Sequence, residues 1–191
     1  MKKISVIGTG YVGLVSGACY AELGNQVYCL DTNEEKVKSL NAGKIPIYEP
    51  GLETVVQRNL ASGRLKITSS YKEALEDTEF IFVCVGTPLN GDGLIDMRYV
   101  ESAYDMIAEN MNGSRPIIIN KSTVPPGTAE MMTARLSKTF ANGSLPSIVS
   151  NPEFLRESHA VSDFMKPTRI VIGTDDSGAA EAVAGLHSSL D

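Results

Sequence analysis

Short, nearly unbroken apolar runs recur along the chain, separated by stretches in which apolar residues return every three or four positions. Lys3-Ile-Ser-Val-Ile7, Gln26-Val-Tyr-Cys-Leu30 and Phe80-Ile-Phe-Val-Cys-Val85 are runs of the first kind. Pro116-Ile-Ile-Ile-Asn120, Ser147-Ile-Val-Ser150 and Arg169-Ile-Val-Ile-Gly173 follow the same pattern, and residues 64–68 form a shorter one. Runs without polar alternation predict strands buried on both faces, the situation of a parallel sheet. Helical periodicity predicts helices after Gly13 and over residues 34–40, 52–60, 71–75, 97–111, 127–140 and 177–190. Residues 44–50 and 86–96 read as loops, the first kept from helix by its prolines. Strand–helix alternation over the whole length predicts an α/β fold of Rossmann type: a doubly wound, mainly parallel sheet with helices on both faces. In such a sheet ligands bind at the carboxyl ends of the strands.

The first strand-to-helix junction carries Gly8-Thr-Gly10-Tyr-Val-Gly13, at G-x-G-x-x-G spacing. Gly8 permits a tight turn, Gly10 lets the backbone approach a pyrophosphate, and Gly13 lets the helix pack on the strand. The helix N-terminus adds free N–H groups and the positive end of its dipole. The second strand ends in Asp31, at the interval of a ribose-binding carboxylate, and the context predicts a dinucleotide site. A carboxylate there accepts from both ribose hydroxyls and repels a 2′-phosphate, which favours NAD over NADP. The competing reading is that Asp31 only shapes the turn; against it, Thr32-Asn-Glu-Glu35 reads as a capping box for the next helix.

The 191 residues predict a single domain that buries about 70% of its unfolded surface. A formal charge of −6 with no basic run argues against nucleic-acid or anionic-membrane partners. Cys19, Cys29 and Cys84 lie inside apolar patterns, as in a reduced, cytoplasmic protein, and the two histidines are too isolated for a metal site. The apolar stretch after Met1-Lys-Lys3 is broken by glycines and runs directly into the β-α-β pattern, unlike a secretory leader.

Three further strand ends carry candidate chemistry. Val85-Gly86-Thr87-Pro88 combines small residues with a hydroxyl, suited to close cofactor approach, although an ordinary strand exit reads the same way. Lys121-Ser122-Thr123-Val-Pro-Pro-Gly-Thr128 brings hydroxyls that can orient ribose, nicotinamide or a reacting water; it also fits a proline-led helix start. Asn151-Pro-Glu153-Phe154-Leu155-Arg156-Glu157 places two carboxylates four residues apart, on one face if the segment is helical. The pair suits water activation, and equally a solvated helix start.

With Tyr48-Glu-Pro-Gly-Leu-Glu53 and Asp163-Phe-Met-Lys-Pro167, these motifs stand in one order over nearly the whole chain. The chain resembles the N-terminal, NAD-binding part of the UDP-glucose/GDP-mannose dehydrogenase family. The resemblance implies oxidation of a nucleotide sugar's C6 alcohol to a carboxylate with two NAD⁺, through a cysteine-bound thiohemiacetal and thioester that water hydrolyses. It implies UDP-glucose as substrate and UDP-glucuronate as product, with GDP-mannose and UDP-N-acetylmannosamine as alternative substrates. By position, Gly8, Thr9, Gly10, Tyr11, Val12, Gly13, Asp31 and Lys36 would hold the adenosine half of NAD. Val85, Gly86, Thr87, Pro88, Ser122 and Thr123 would lie toward its ribose and nicotinamide side. Glu153, assisted by Thr123, resembles the residue that handles the hydrolytic water's proton. Phe154, Leu155 and Arg156 resemble the loop lining the sugar nucleotide, and Glu157 the cofactor–substrate junction.

Family members continue into a dimer-forming helix and a second domain carrying the nucleophilic cysteine with a lysine, an asparagine and an aspartate. None of those motifs occurs in the sequence, so the expectation is a domain that binds NAD without completing catalysis alone, alternatively one that senses NAD or works with a partner chain. Full-length members are expected to be homo-oligomers. Cys84 lies at a strand end but is expected to lack a basic neighbour that would activate it. Two positions depart from the family: Ser158 stands where glycine is usual, and Thr168 where aspartate is common. A positive φ at 158 would strain serine.

Overall fold

The computed structural model describes residues 1–111, 115–140 and 145–190. Its strands are β1 (Lys3–Ile7), β2 (Gln26–Leu30), β3 (Leu65–Thr68), β4 (Phe80–Val83), β5 (Ile117–Asn120) and β6 (Ile148–Ser150). Its helices are α1 (Tyr11–Glu22), α2 (Glu34–Asn41), α3 (Leu52–Ala61), α4 (Tyr71–Leu75), α5 (Arg98–Asn110), α6 (Thr128–Leu136), α7 (Ala160–Met165) and α8 (Ser177–Leu186). The strands form one parallel sheet in the order β3-β2-β1-β4-β5-β6, the doubly wound Rossmann order.

The pleat sends alternate residues to two cores. Ile4, Val6, Phe80 and Phe82 face one side, with α1, α3, α7 and α8. Ile7, Ile81 and Val83 face the other, with α4, α5 and α6. Helix α1 is apolar nearly all round and is buried from Gly13 to Ala21, as its position between the sheet and α3 and α7 demands. Tyr20 of α1 is fully buried, stacked 4.8 Å from Phe82 and edge-on to Phe164 of α7 at 4.9 Å. Its hydroxyl meets His187 Nε2 at 2.9 Å, so the end of α8 closes over the first helix.

Three local expectations are corrected. The run Arg169-Ile-Val-Ile-Gly173 is not a strand: it touches β6 only through one antiparallel bridge, Ser150 to Gly173. Ile170 and Val171 are exposed there, and the Val171 carbonyl accepts from Asn151 Nδ2 instead of a strand partner. Helix α2 is capped by Asn33, whose side chain accepts from the Lys36 N–H, so Thr32 is not its cap. Helices α6 and α8 stop before the end of their apolar periodicity, at Leu136 and Leu186.

Candidate functional site

The carboxyl ends of β1, β2 and β4 surround a cleft of about 230 Å³, lined by Gly8, Gly10, Asp31, Lys36, Val85 and Gly86 among others. Gly8 turns the chain with φ +95°, and a Cβ there would meet the Cys84 carbonyl at 2.8 Å. A Cβ at Gly13 would lie 1.9 Å from the Gly8 carbonyl, so only glycine lets α1 sit this close to β1. Gly10, the N-cap of α1, offers no side-chain cap and has no neighbour within 4 Å of its Cβ direction. The start of α1 thus presents backbone N–H groups to open space, the arrangement an anionic phosphate needs.

Asp31 closes one wall. Its Oδ2 accepts from Thr9 N at 3.1 Å, Thr9 Oγ1 at 2.6 Å and Lys36 Nζ at 2.8 Å, while Oδ1 accepts from Asn33 N at 3.1 Å. Burial opposes the charge, but the Lys36 ammonium, the Thr9 hydroxyl and the two amides outweigh it and hold the carboxyl down at about 2. Asp31 therefore shapes its turn and also keeps an ionised carboxylate at the cleft. Tyr71, in the first turn of α4, lines the same cleft and was not among the sequence candidates. Its place directly after the β3 carboxyl end was the available signal.

The next strand ends are tied together. Ser122 Oγ donates to the Val85 carbonyl at 2.6 Å, which joins the loop after β5 to the loop after β4. Thr123 lines a broad groove of about 890 Å³ beside α6, together with Pro125, Thr128 and Pro152. Glu153, Phe154, Leu155 and Arg156 line a different cavity of about 290 Å³, with Lys121, Arg169 and His187. Thr123 and Glu153 thus face separate spaces, with Pro152 bordering both.

The segment after β6 is not helical, so Glu153 and Glu157 do not stack on a helix face. The Glu153 carboxylate accepts the Leu155 N–H at 2.5 Å and closes a turn of its own. Arg156 pairs with Asp163 through both side chains, Nη2 to Oδ1 at 2.7 Å and Nε to Oδ2 at 3.0 Å, which holds Asp163 down at about 2. Phe154 is 51% exposed with the Arg169 guanidinium 6.0 Å over its ring. Ser158 does adopt a left-handed conformation, φ +66°.

Cys84 does have a basic neighbour, Lys121, contrary to the expectation, but burial dominates and pushes its thiol up to about 12. Burial raises Cys19 to about 12 and Cys29 further still, so all three thiols stay protonated and inert at neutral pH. Lys121 itself is only 6% exposed and donates to Asn151 Oδ1 at 3.1 Å; burial lowers its pKa, opposed by Cys84 and Glu153.

Residues 2–191 match the UDP-glucose/GDP-mannose dehydrogenase family, NAD binding domain. The UDP-glucose 6-dehydrogenase TuaD of Bacillus subtilis is 46% identical over 187 residues, which is 98% of this chain and 40% of that protein. The structure of a UDP-glucose dehydrogenase from Pyrobaculum islandicum superposes with a TM-score of 0.93 at 44% identity, over all of this chain and 45% of that one. A ternary complex of GDP-mannose dehydrogenase from Pseudomonas aeruginosa gives 0.94 at 34% identity, over 99% of this chain and 44% of that one. The chain belongs to the UDP-glucose/GDP-mannose dehydrogenase family, as its NAD-binding domain. It spans less than half the length of these relatives.

Proposed function

We propose that the chain supplies the cofactor half of a dehydrogenase that oxidises the C6 alcohol of UDP-glucose to the carboxylate of UDP-glucuronate. The observation that carries this reading is the ionised Asp31 facing the open N-terminus of α1 across one cleft. NAD, when bound, accepts hydride. In this reading the chain's own residues do the rest of the binding work. Gly8, Thr9, Gly10, Tyr11, Val12 and Gly13 take the pyrophosphate on backbone amides, and Asp31 accepts from the adenosine ribose hydroxyls with Lys36 fixing its orientation. Val85, Gly86, Thr87 and Pro88 border the cofactor, and Ser122 and Thr123 stand on its nicotinamide side. Glu153 manages a proton of the hydrolytic water through the carboxylate oxygen that does not accept the Leu155 N–H. Phe154, Leu155, Arg156 and Glu157 border the sugar nucleotide.

UDP-glucose is favoured over GDP-mannose because the UDP-glucose dehydrogenase from P. islandicum is more identical to this chain, at 44% against 34% for the GDP-mannose enzyme. The nucleophilic thiol is not Cys19, Cys29 or Cys84, all of them buried. Turnover by this domain therefore depends on a thiol supplied elsewhere, in the same chain's continuation or in a partner chain, and the site of action is the cytoplasm. Calorimetric titration with NAD⁺ and NADP⁺ tests the reading. Saturable NAD⁺ binding with much weaker NADP⁺ binding supports it, and no binding of either overturns it.

A further inference from the structure

Three separated motifs meet at one buried carboxylate. Glu49, in the Tyr48-Glu-Pro-Gly-Leu-Glu53 stretch, is only 6% exposed. Its Oε2 accepts the hydroxyl of Tyr11, the first residue of α1. Its Oε1 accepts the N–H of Val161, in the first turn of α7, at 3.3 Å. The Tyr11 oxygen in turn accepts the Ser158 N–H at 3.0 Å. Burial and the Glu49 carboxylate push the Tyr11 hydroxyl up to about 12, so at neutral pH it remains a donor to Glu49.

The relay ends at a strained residue. Ser158 holds φ +66°, a conformation that costs an L side chain energy and persists where its surroundings fix it. The Tyr11 hydroxyl supplies that support, and Tyr11 itself follows Gly10 at the start of α1. Opening either bond to Glu49 strips a partner from this largely buried carboxylate. In the structure the relay is closed and Ser158 is left-handed, so the segment 153–161 is held through Tyr11 and Glu49 together.

We propose that Glu49 is a positioning residue that joins the glycine loop to the segment 153–161, so that a bound nucleotide holds that segment in its ordered state. The inference rests on the glycine cleft being the cofactor site, since a nucleotide there fixes the start of α1 and with it the Tyr11 phenol. By linkage, whatever binds the ordered segment also tightens the nucleotide.

The test is amide hydrogen exchange at Ser158 and Val161, with and without NAD⁺, each protein brought to its own calorimetric saturation. In the parent chain NAD⁺ is expected to slow exchange at both amides at least tenfold. In Glu49→Ala, NAD⁺ still saturates but the bound-to-free ratio falls close to one, and Glu49→Gln, which keeps one acceptor, recovers part of it. A merely structural role would speed exchange equally in both states and leave the ratio unchanged. An undiminished ratio in Glu49→Ala overturns the proposal. A parent that binds NAD⁺ without slowing these amides overturns the coupling alone, whereas a parent that binds no NAD⁺ overturns the cofactor reading and the coupling with it. Should Glu49→Ala fail to fold, Tyr11→Phe opens the same relay by removing one oxygen, and the same loss of the ratio is expected at that variant's own saturation.

Discussion

Lys36 Nζ stands 2.8 Å from Asp31 Oδ2, an ion pair across the turn from β2 into α2. Without the carboxylate, Lys36 becomes an unpaired cation at the edge of the cleft. Asp31→Asn is therefore expected to weaken NAD⁺ binding about tenfold, or about 1.4 kcal/mol, while NADP⁺ binding improves. Calorimetric titration of both nucleotides measures the shift in preference, and an unchanged preference would separate Asp31 from the ribose.

The same carboxyl gives a pH dependence. Its folded pKa, about 2, lies below the ordinary aspartate value of about 3.9. The stabilisation from its ionised form is thus complete above about pH 4 and is lost as the pH falls toward 2. Thermal melts of the parent and Asp31→Asn should differ most near neutrality and converge on acidification, after correction for the shared titration of other carboxylates.

Gly13 and Gly10 should separate folding from binding. Gly13→Ala drives a Cβ into the Gly8 carbonyl and is expected to cost about 3 kcal/mol in urea denaturation. Gly10→Ala meets no atom and keeps an ordinary φ of −67°, so stability should change by about 1 kcal/mol or less. On the proposed reading that methyl group enters the space for phosphate, and NAD⁺ affinity should drop by more than tenfold.

Ser158→Gly relieves the left-handed strain at the cost of extra freedom in the unfolded chain. The net expectation is a gain of about 0.5–1 kcal/mol, read from the urea midpoint. A loss of stability would mean that the serine side chain contributes more than its backbone costs.

His187 titrates in the opposite chemical sense to Asp31 but bends stability the same way. Burial lowers its pKa, so the folded state favours the neutral ring that meets Tyr20. Its contribution is full above the unfolded value of about 6.5 and falls as the pH drops through the lowered folded value. Urea midpoints at pH 7.5 and pH 5 should differ less in His187→Gln than in the parent.

The sheet was legible because β1, β2, β4 and β5 are continuous apolar runs, and the glycine loop because sterics leave Gly8 and Gly13 no substitutes. The run Arg169-Ile-Val-Ile-Gly173 misled for the same reason that the others informed. Apolar β-branched residues favour a strand but cannot say whether a partner edge lies alongside. The cap at Asn33 was missed by one position because Thr32 and Asn33 both suit the role, and only the turn imposed by Asp31 decides between them.

The site was less legible wherever contacts span the chain. Tyr11 and Ser158 lie 147 positions apart, and Lys121 and Asn151 lie 30 apart. Spacing rules see helix faces and strand alternation, so they suggested that Glu153 and Glu157 form a pair. Pro152 and the Leu155 N–H instead settle Glu153 into a non-helical turn.

The bond between Tyr20 and His187 joins residues 167 positions apart. Loop-closure entropy makes so distant a contact late to form during folding. On the ribosome, Tyr20 has been synthesised long before His187, and until then its hydroxyl lacks that partner beside an apolar helix. The helix itself is covered much earlier, by β2 and α3, so this bond seals a core that is already assembled, and a nascent chain arrested before α8 should protect α1 while leaving the Tyr20 hydroxyl without His187.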